Sequence, residues 1–441
     1  MRSSHSLDRL DTAFDDERLV ADAGLLLPAT LAQHLGLKEL VGRTLDLGDR
    51  AGHPNRGDKL LTLVLSALAG GDSIDDADAL RAGDTGRVLG FRVKAPSTLG
   101  TFLRSFRWGH VRQLDQVSRE LLARAWGAGA GPGADPFTID LDSTVCETYG
   151  LQKEGARHHA YTGVRGYHPL LAVAAGTGEV LMARLREGRA NTTRGAAHFL
   201  RETIGRVRGA GATGQLTMRA DSGLYAHEVV AVCRRMDVRF SITARQHEGL
   251  HRLIEALPEA AWTPIPYWLE GGADVAETTY VPFAGQKDAR PVRLIVRRVR
   301  PTPGSQLALF ADYDYHPFIT DREGTTLELE ADHRRHAEVE NAIRDLKYGV
   351  GLNHLPSGRF AANGAWLAIQ VIAHNLARWT ARLGLGQGIV TTKTLRRRFF
   401  ALAGRLTRSA RRWRLHLPEH WPWAAEFGTA LRRLRALPLT A

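Results

Sequence analysis

GAGAGPGADPFTIDLD, residues 127–142, sets the reading of the fold. As far as Asp135 the stretch is glycine, alanine and proline with no periodicity, which predicts a linker over 127–136. From Phe137 the pattern changes. Phe137, Ile139 and Leu141 alternate with Thr138, Asp140 and Asp142, the signature of a strand with one buried face. Two carboxylates therefore leave one face close to a strand end. Upstream, residues 1–126 read as an all-α region, because ERLVADAGLLLPATLAQHLGL (17–37), GDKLLTLVLSALAGG (57–71) and APSTLGTFLRSFRWGHVRQLDQVSRELLARAW (95–126) repeat apolar residues three and four apart. Pro96-Ser97-Thr98 predicts a helix start and Trp108-Gly109-His110 a turn. That pattern suits a helix-turn-helix and a helical pair without nucleic-acid contact equally.

Downstream the chain alternates. YHPLLAVAAGTGEVLMARL (167–185) predicts two strands around a Gly-Thr-Gly turn, followed by a helix over 193–207. Strand QLTMRAD, helix AHEVVAVCRRM, strand VRFSITAR and helix EGLHRLIEAL complete a mixed α/β region over 137–261. Residues 262–328 predict a β insertion, with strands ADVAETTYVPF, RPVRLIVRRVRP and DYHPFITD separated by GQKDA and PGSQ turns. A long helix resumes at Asp332, so 329–381 returns to the α/β region, with ANGAWLAIQVIAHNLARW as a buried helix. The tail, 382–441, is predicted basic and helical, with LRRRFF and RRWRL setting aromatics among arginines.

The charge is concentrated there. Of a net +12, the tail carries +11, from thirteen Arg or Lys against Glu419 and Glu426, leaving +1 for the other 381 residues. A near-neutral body with a basic tail points to a polyanionic partner, although a solubilising surface gives the same numbers. Two cysteines, Cys146 and Cys233, exclude a disulfide framework and a cysteine-built zinc site and fit a reducing cytoplasm. No apolar run is long enough for a membrane span, and the first residues lack a secretory core.

A second strand, LTMRAD, also ends on an acid: Thr217, Arg219 and Asp221 share a face and Ser222-Gly223 follows. Carboxyl ends of strands are where α/β folds gather functional groups, although turn aspartates look the same. A third acid stands in HRRHAEVENAIRDLK, 333–347. At 100° per residue with Glu340 at zero, His333 falls at about +20°, His336 at about −40°, Arg344 at about +40° and Lys347 at about −20°. Val339, Ile343 and Leu346 form a buried stripe near −90°, with Glu338 and Asp345 near 160° and 140°. Glu340 alone among these acids shares a face with four cationic or cationisable groups. That suits a carboxylate on a metal with phosphate-holding neighbours, and equally a Glu340–Arg344 surface pair.

The same segment resembles the Y-x2-R-x3-E-x6-K signature of bacterial insertion-sequence transposases of the DDE type, with His333, His336, Glu340 and Lys347 at the four positions. Asp142 in IDLDST and Asp221 in RADSGLY resemble the family's first and second aspartates. The likeness runs on through GYHPLLAV and the final helix, and the helical N-terminal region is also similar. Histidine stands here where the family has tyrosine and arginine; an imidazole must be protonated to hold phosphate, whereas a guanidinium is always charged. Asp140 competes with Asp142 as first acid, but Asp142 precedes Ser143-Thr144 as the family's aspartate precedes a hydroxyl pair. Tyr161, Tyr167 and His168 are lesser candidates for approaching DNA.

The resemblance implies a ribonuclease-H-like fold, a mixed five-stranded sheet with helices on both faces interrupted by the β insertion. It implies that Asp142, Asp221 and Glu340 hold Mg²⁺, with Mn²⁺ as substitute and two ions expected, while Lys347, His336, His333 and Arg344 hold phosphate. Implied partners are double-stranded DNA, as terminal inverted repeats and as target, and a second copy of the chain. Residues 1–126 are expected to be the DNA-binding domain that takes the inverted repeats, helped by tail contacts at Arg396, Arg397, Arg398, Arg411, Arg412 and Arg414, in a protein of the bacterial cytoplasm. A DNA-binding repressor without catalysis and a metal-dependent nuclease without strand transfer are the alternatives.

Overall fold

A computed structural model describes residues 7–266, 272–300 and 313–440. Ahead of the α/β region come a short strand, β1 (Leu19–Val20), and helices α1 (Leu26–His34), α2 (Leu37–Thr44), α3 (Arg56–Ala69), α4 (Thr85–Leu89), α5 (Pro96–Arg104) and α6 (Trp108–Ala125). Pro96 opens α5, where its missing N–H costs nothing. α6 buries Leu114, Val117, Leu121 and Leu122. Its polar groups are occupied as well: Arg112 reaches Glu202 at 2.5 Å and Asp115 accepts from Arg206 at 2.6 Å. These contacts build α6 into the body of the molecule.

The predicted linker is packed chain. Trp126–Ala130 prolong α6 as a π turn. Beyond it the Thr213 N–H donates to the Gly133 carbonyl at 2.8 Å. Gly214 permits this approach, since a Cβ there would lie 2.3 Å from the Asp135 carbonyl oxygen.

Strand β2 (Phe137–Ser143) buries the apolar half of its alternation and lies centrally. A small sheet of β3 (Cys146–Glu147), β4 (Arg157–His158) and β5 (Arg165–Tyr167) leads to the hairpin β6 (Leu170–Ala174) and β7 (Val180–Arg184). Helix α7 (Ala196–Gly209), β8 (Leu216–Ala220), α8 (His227–Arg235), β9 (Val238–Thr243) and α9 (Glu248–Glu255) follow. β2 is antiparallel to β6 and parallel to β8, and β8 is parallel to β9. The order β7-β6-β2-β8-β9 is that of the ribonuclease-H-like fold.

The β insertion is an extension of this sheet. β10 (Thr263–Pro264), β11 (Ala273–Tyr280), β12 (Val292–Val299) and β13 (Asp314–Thr320) form a meander whose last strand pairs with β9, giving nine strands among the described residues. Pairing Phe318↔Thr243 through Thr320↔Ser241 joins them, and a satellite core of Val275, Ile295, Phe318 and Leu329 lies beneath. The predicted turn at 303–306 lies outside the described residues.

The following helix starts six residues earlier than predicted, as α10 (Thr326–Arg334), capped by a reciprocal Thr325–Glu328 pair. It continues through a 3-10 turn, Arg335–Glu338, into α11 (Val339–Arg344) and a π turn, Asp345–Gly349. α12 (Phe360–Trp379) is buried on nearly every side. The tail departs from an all-helical reading. After α13 (Thr392–Leu395) come an antiparallel hairpin, β14 (Gly404–Ser409) and β15 (Arg412–His416), and only then α14 (Ala424–Arg435). β14 pairs with β1, and the Thr440 N–H donates to the His34 carbonyl at 2.9 Å, so the tail closes on the N-terminal helices.

Candidate active site

Register brings two of the three acids together. Pairing of the parallel strands β2 and β8 runs to Asp140↔Arg219 and Leu141↔Ala220. Asp142 and Asp221 are the next residues on the two chains, on strands spaced about 4.8 Å apart. Asp142 is half-buried and accepts from the Ser143 N–H at 2.6 Å. Asp221 is exposed, caps the 3-10 turn Ser222–Leu224 and accepts from the Gly223 N–H at 3.0 Å. Glu340 is exposed in the first turn of α11.

Burial above all, with the charges of Asp221 and Glu340 adding and the Ser143 N–H and His336 opposing, sets the Asp142 carboxyl at about 6. A carboxyl with an ordinary value of 3.8 is thus held back from ionising chiefly by desolvation, and to a lesser degree by two other carboxylates. Among the described residues no three His, Cys, Asp or Glu side chains are grouped so as to hold a metal ion. The arrangement is an open mouth of carboxylates, not a closed cage. Its all-oxygen donor set and unrelieved repulsion fit a hard divalent cation, and the two acids that would have to move, Asp221 and Glu340, are the exposed ones.

Asp140 has a different situation. It is 1 % exposed and receives Arg219 in a bidentate fork, Nε to Oδ1 at 2.8 Å and Nη2 to Oδ2 at 2.9 Å. Arg219 also donates to the Asp332 carbonyl, and Arg322 pairs with Asp332. The pair ties β2, β8 and α10 together directly below Asp142 and Asp221. The sequence reading missed it, although the signal was available: Asp140 precedes Asp142 by two, as Arg219 precedes Asp221, so aligning one pair aligns the other.

The signature helix divides. Lys347 donates to the Val145 carbonyl at 2.8 Å and stands beside the chain leaving β2. His336 meets Asp140 Oδ1 at 3.1 Å. His333 turns inward: its ring stacks on Phe318 at 4.1 Å and contacts the hydroxyls of Ser241 at 2.8 Å and Thr243 at 3.0 Å. Burial, with His336 and Arg219 adding, holds His333 well below the usual imidazole range. A uniform wheel mispredicts this because four 3-10 residues at about 120° each shift His333 by about 80°, from about +20° to about −60°, toward the buried stripe. Asp345, expected outside, is buried and bonded to Arg378 at 3.1 Å and Thr392 Oγ1 at 2.9 Å. Arg344 is exposed and lines a groove of about 640 Å³ with Tyr348, Arg378 and Lys393.

Of the tail arginines, Arg397, Arg398, Arg411, Arg412 and Arg414 are exposed. Arg396 is half-buried and donates to the Leu68 carbonyl at 2.7 Å and the Ala67 carbonyl at 3.0 Å, closing the end of α3. It is thus a structural cation, not a surface one. Tyr161 is exposed, whereas Tyr167 and His168 are interior: the Tyr167 hydroxyl donates to the Glu154 carbonyl at 2.8 Å, and His168 bridges Ala190 O and Ser143 Oγ, both at 2.9 Å. Cys146 and Cys233 are buried free thiols. No helix among the described residues is long and apolar enough to cross a membrane.

Among solved structures the chain is similar to a piggyBac transposase synaptic complex with hairpin DNA determined by cryo-EM, at 12% identity and a TM-score of 0.48, over 87% of this chain and 80% of that one. No curated protein matches. The model of the family described as transposase DDE domain group 1 matches residues 3–439, from the N-terminal helices through the carboxylate strands to the tail. With that match over nearly its whole length, the chain belongs to the DDE transposase family, group 1.

Proposed function

We propose that the chain is the transposase of a bacterial insertion sequence, acting in the cytoplasm on nucleoid DNA. It binds the element's terminal inverted repeats, hydrolyses the phosphodiester at each end to free a 3′-OH, and joins that hydroxyl to target DNA. One observation carries the reading: the parallel register of β2 and β8 sets Asp142 beside Asp221 at adjacent strand ends, with Glu340 near enough for its charge to bear on Asp142. Asp142, Asp221 and Glu340 would hold Mg²⁺, or Mn²⁺ in its place, as two ions. Bound there, the metal would supply an activated water and charge stabilisation at the phosphate. Lys347, beside the β2 exit, holds a phosphate oxygen, with exposed Arg344 as a second cation on the same helix. His336 acts at one remove, braced against Asp140. Two ends cut together call for two copies of the chain.

A DNA-binding repressor is the second reading. It is favoured by His333 and His336, which face protein partners where the family signature has a tyrosine and an arginine. One assay separates the readings. Full-length protein is incubated with labelled duplex carrying the element's ends, target plasmid and Mg²⁺. Nicking at the ends followed by joined products supports the transposase, binding without nicking the repressor, and nicking without joining a nuclease.

A further inference from the structure

We infer that the β14–β15 hairpin is a DNA-reading ribbon that lies in the groove of duplex DNA; this rests on the transposase reading and specifies where the duplex is held. The two strands pair Arg405↔His416, Thr407↔Arg414 and Ser409↔Arg412 on one face, and Leu406↔Leu415 and Arg408↔Trp413 on the other. Leu406 is buried and Leu415 half-buried at the base, which anchors the ribbon against β1. The opposite face carries arginine, serine, threonine and histidine, and GRLTRSARRWRLH, 404–416, contains no acid. Near the tip, on the Leu406 face, Trp413 meets two guanidiniums, Arg87 at 4.4 Å and Arg408 at 5.4 Å, and stays 46% exposed. Arg87 stands on α4, so this contact ties the tip to the N-terminal helices.

Dimensions agree with the chemistry. Strands of six and five residues span about 17–20 Å, and a two-stranded ribbon is what the major groove, about 12 Å wide, admits. β15 is the sheet's outer edge, and charges on edge strands also deter pairing with other chains. That role is served by either sign, whereas this ribbon carries arginine alone among charged residues. Arginine with hydroxyl donors is the set that positions on phosphates and reads guanine edges.

The test uses the full chain and a fluorescein-labelled random-sequence duplex, with Kd measured across a salt series. Arg411→Gln, Arg412→Gln and Arg414→Gln are combined; all three side chains are exposed, and an unchanged thermal melt of the variant verifies the fold. A second protein, Arg→Lys at the same positions, keeps the charge. The expected result is a salt slope shallower by about 2–3 in the Gln variant and restored in the Lys variant. An unchanged slope and affinity in the Gln variant, with tight binding by the parent chain, overturns the hairpin while leaving the transposase reading intact. Absence of salt-dependent duplex binding by the parent chain overturns both.

Discussion

Replacing Asp142 with Asn should stabilise the protein without metal, and only above the acidic range. The Asp142 carboxyl stands at about 6 in the folded chain against 3.8 ordinarily. Below about pH 4 it is protonated in folded and unfolded chains alike and contributes nothing. Between about pH 4 and 6 the unfolded chain ionises first, so stability is lost as pH rises, by up to about 3 kcal/mol at neutrality. Asn keeps the oxygen that accepts from the Ser143 N–H and removes the ionisation. With about 2.1 cal/mol/K per residue over a chain of 441, that corresponds to a Tm rise of about 3 °C near pH 7 and none near pH 4. The difference between the two proteins carries the test, since His168 slopes the other way: burial lowers it to about 4, so its contribution is lost as pH falls from about 6.5. Scanning calorimetry across this range in chelator reads the effect. Added Mg²⁺ should narrow the gap by stabilising the parent chain alone. A variant no more stable than the parent at neutral pH, or shifted equally at both ends, would refute the electrostatic picture.

Asp221→Asn and Glu340→Gln should each cut end cleavage by on the order of 10²–10³-fold or more while duplex affinity stays within about twofold, read by nicking and gel-shift assays on one preparation. Arg219→Met should destabilise by about 3–5 kcal/mol, because it strips the buried Asp140 of its bidentate partner and leaves it His336 alone; a calorimetric loss below about 1 kcal/mol would show that the fork is not the brace. Asp345→Ala should lower stability similarly, by orphaning Arg378 and the Thr392 N–H, and would do so without altering the pH dependence assigned to Asp142.

The alternation in Phe137–Asp142 and Gln215–Asp221 was enough to find the two strands that carry acids, since burial of one face imposes period two on sequence. It was not enough to separate Asp140 from Asp142. That distinction depends on Arg219, 79 residues away, which neutralises one acid of the pair and leaves the other in the mouth. The strands of 273–320 were legible, but their attachment to β9 was not, because edge pairing leaves no local pattern. The tail hairpin escaped for a similar reason. Only Leu406 and Leu415 mark its buried face, its turn uses Ala410 at φ 54° in place of Asn-Gly, and its partner β1 lies at the far end of the sequence. The helical wheel failed in two ways: the 3-10 turn at Arg335–Glu338 shifts the phase of His333, and α12 and α13 cover a second side of the helix, where Arg378 and Thr392 meet Asp345. The Thr325–Glu328 capping box, by contrast, marks the helix start in plain sequence.

The proposal at the centre is a single divalent-cation site shared by Asp142, Asp221 and Glu340. It is tested most directly by titrating the full chain with Mn²⁺ and following free ion by electron paramagnetic resonance, beside a protein combining Asp142→Asn, Asp221→Asn and Glu340→Gln. Saturable uptake by the parent chain, displaced by Mg²⁺ and lost in the triple variant, is the predicted result. Equal uptake by both proteins would contradict it.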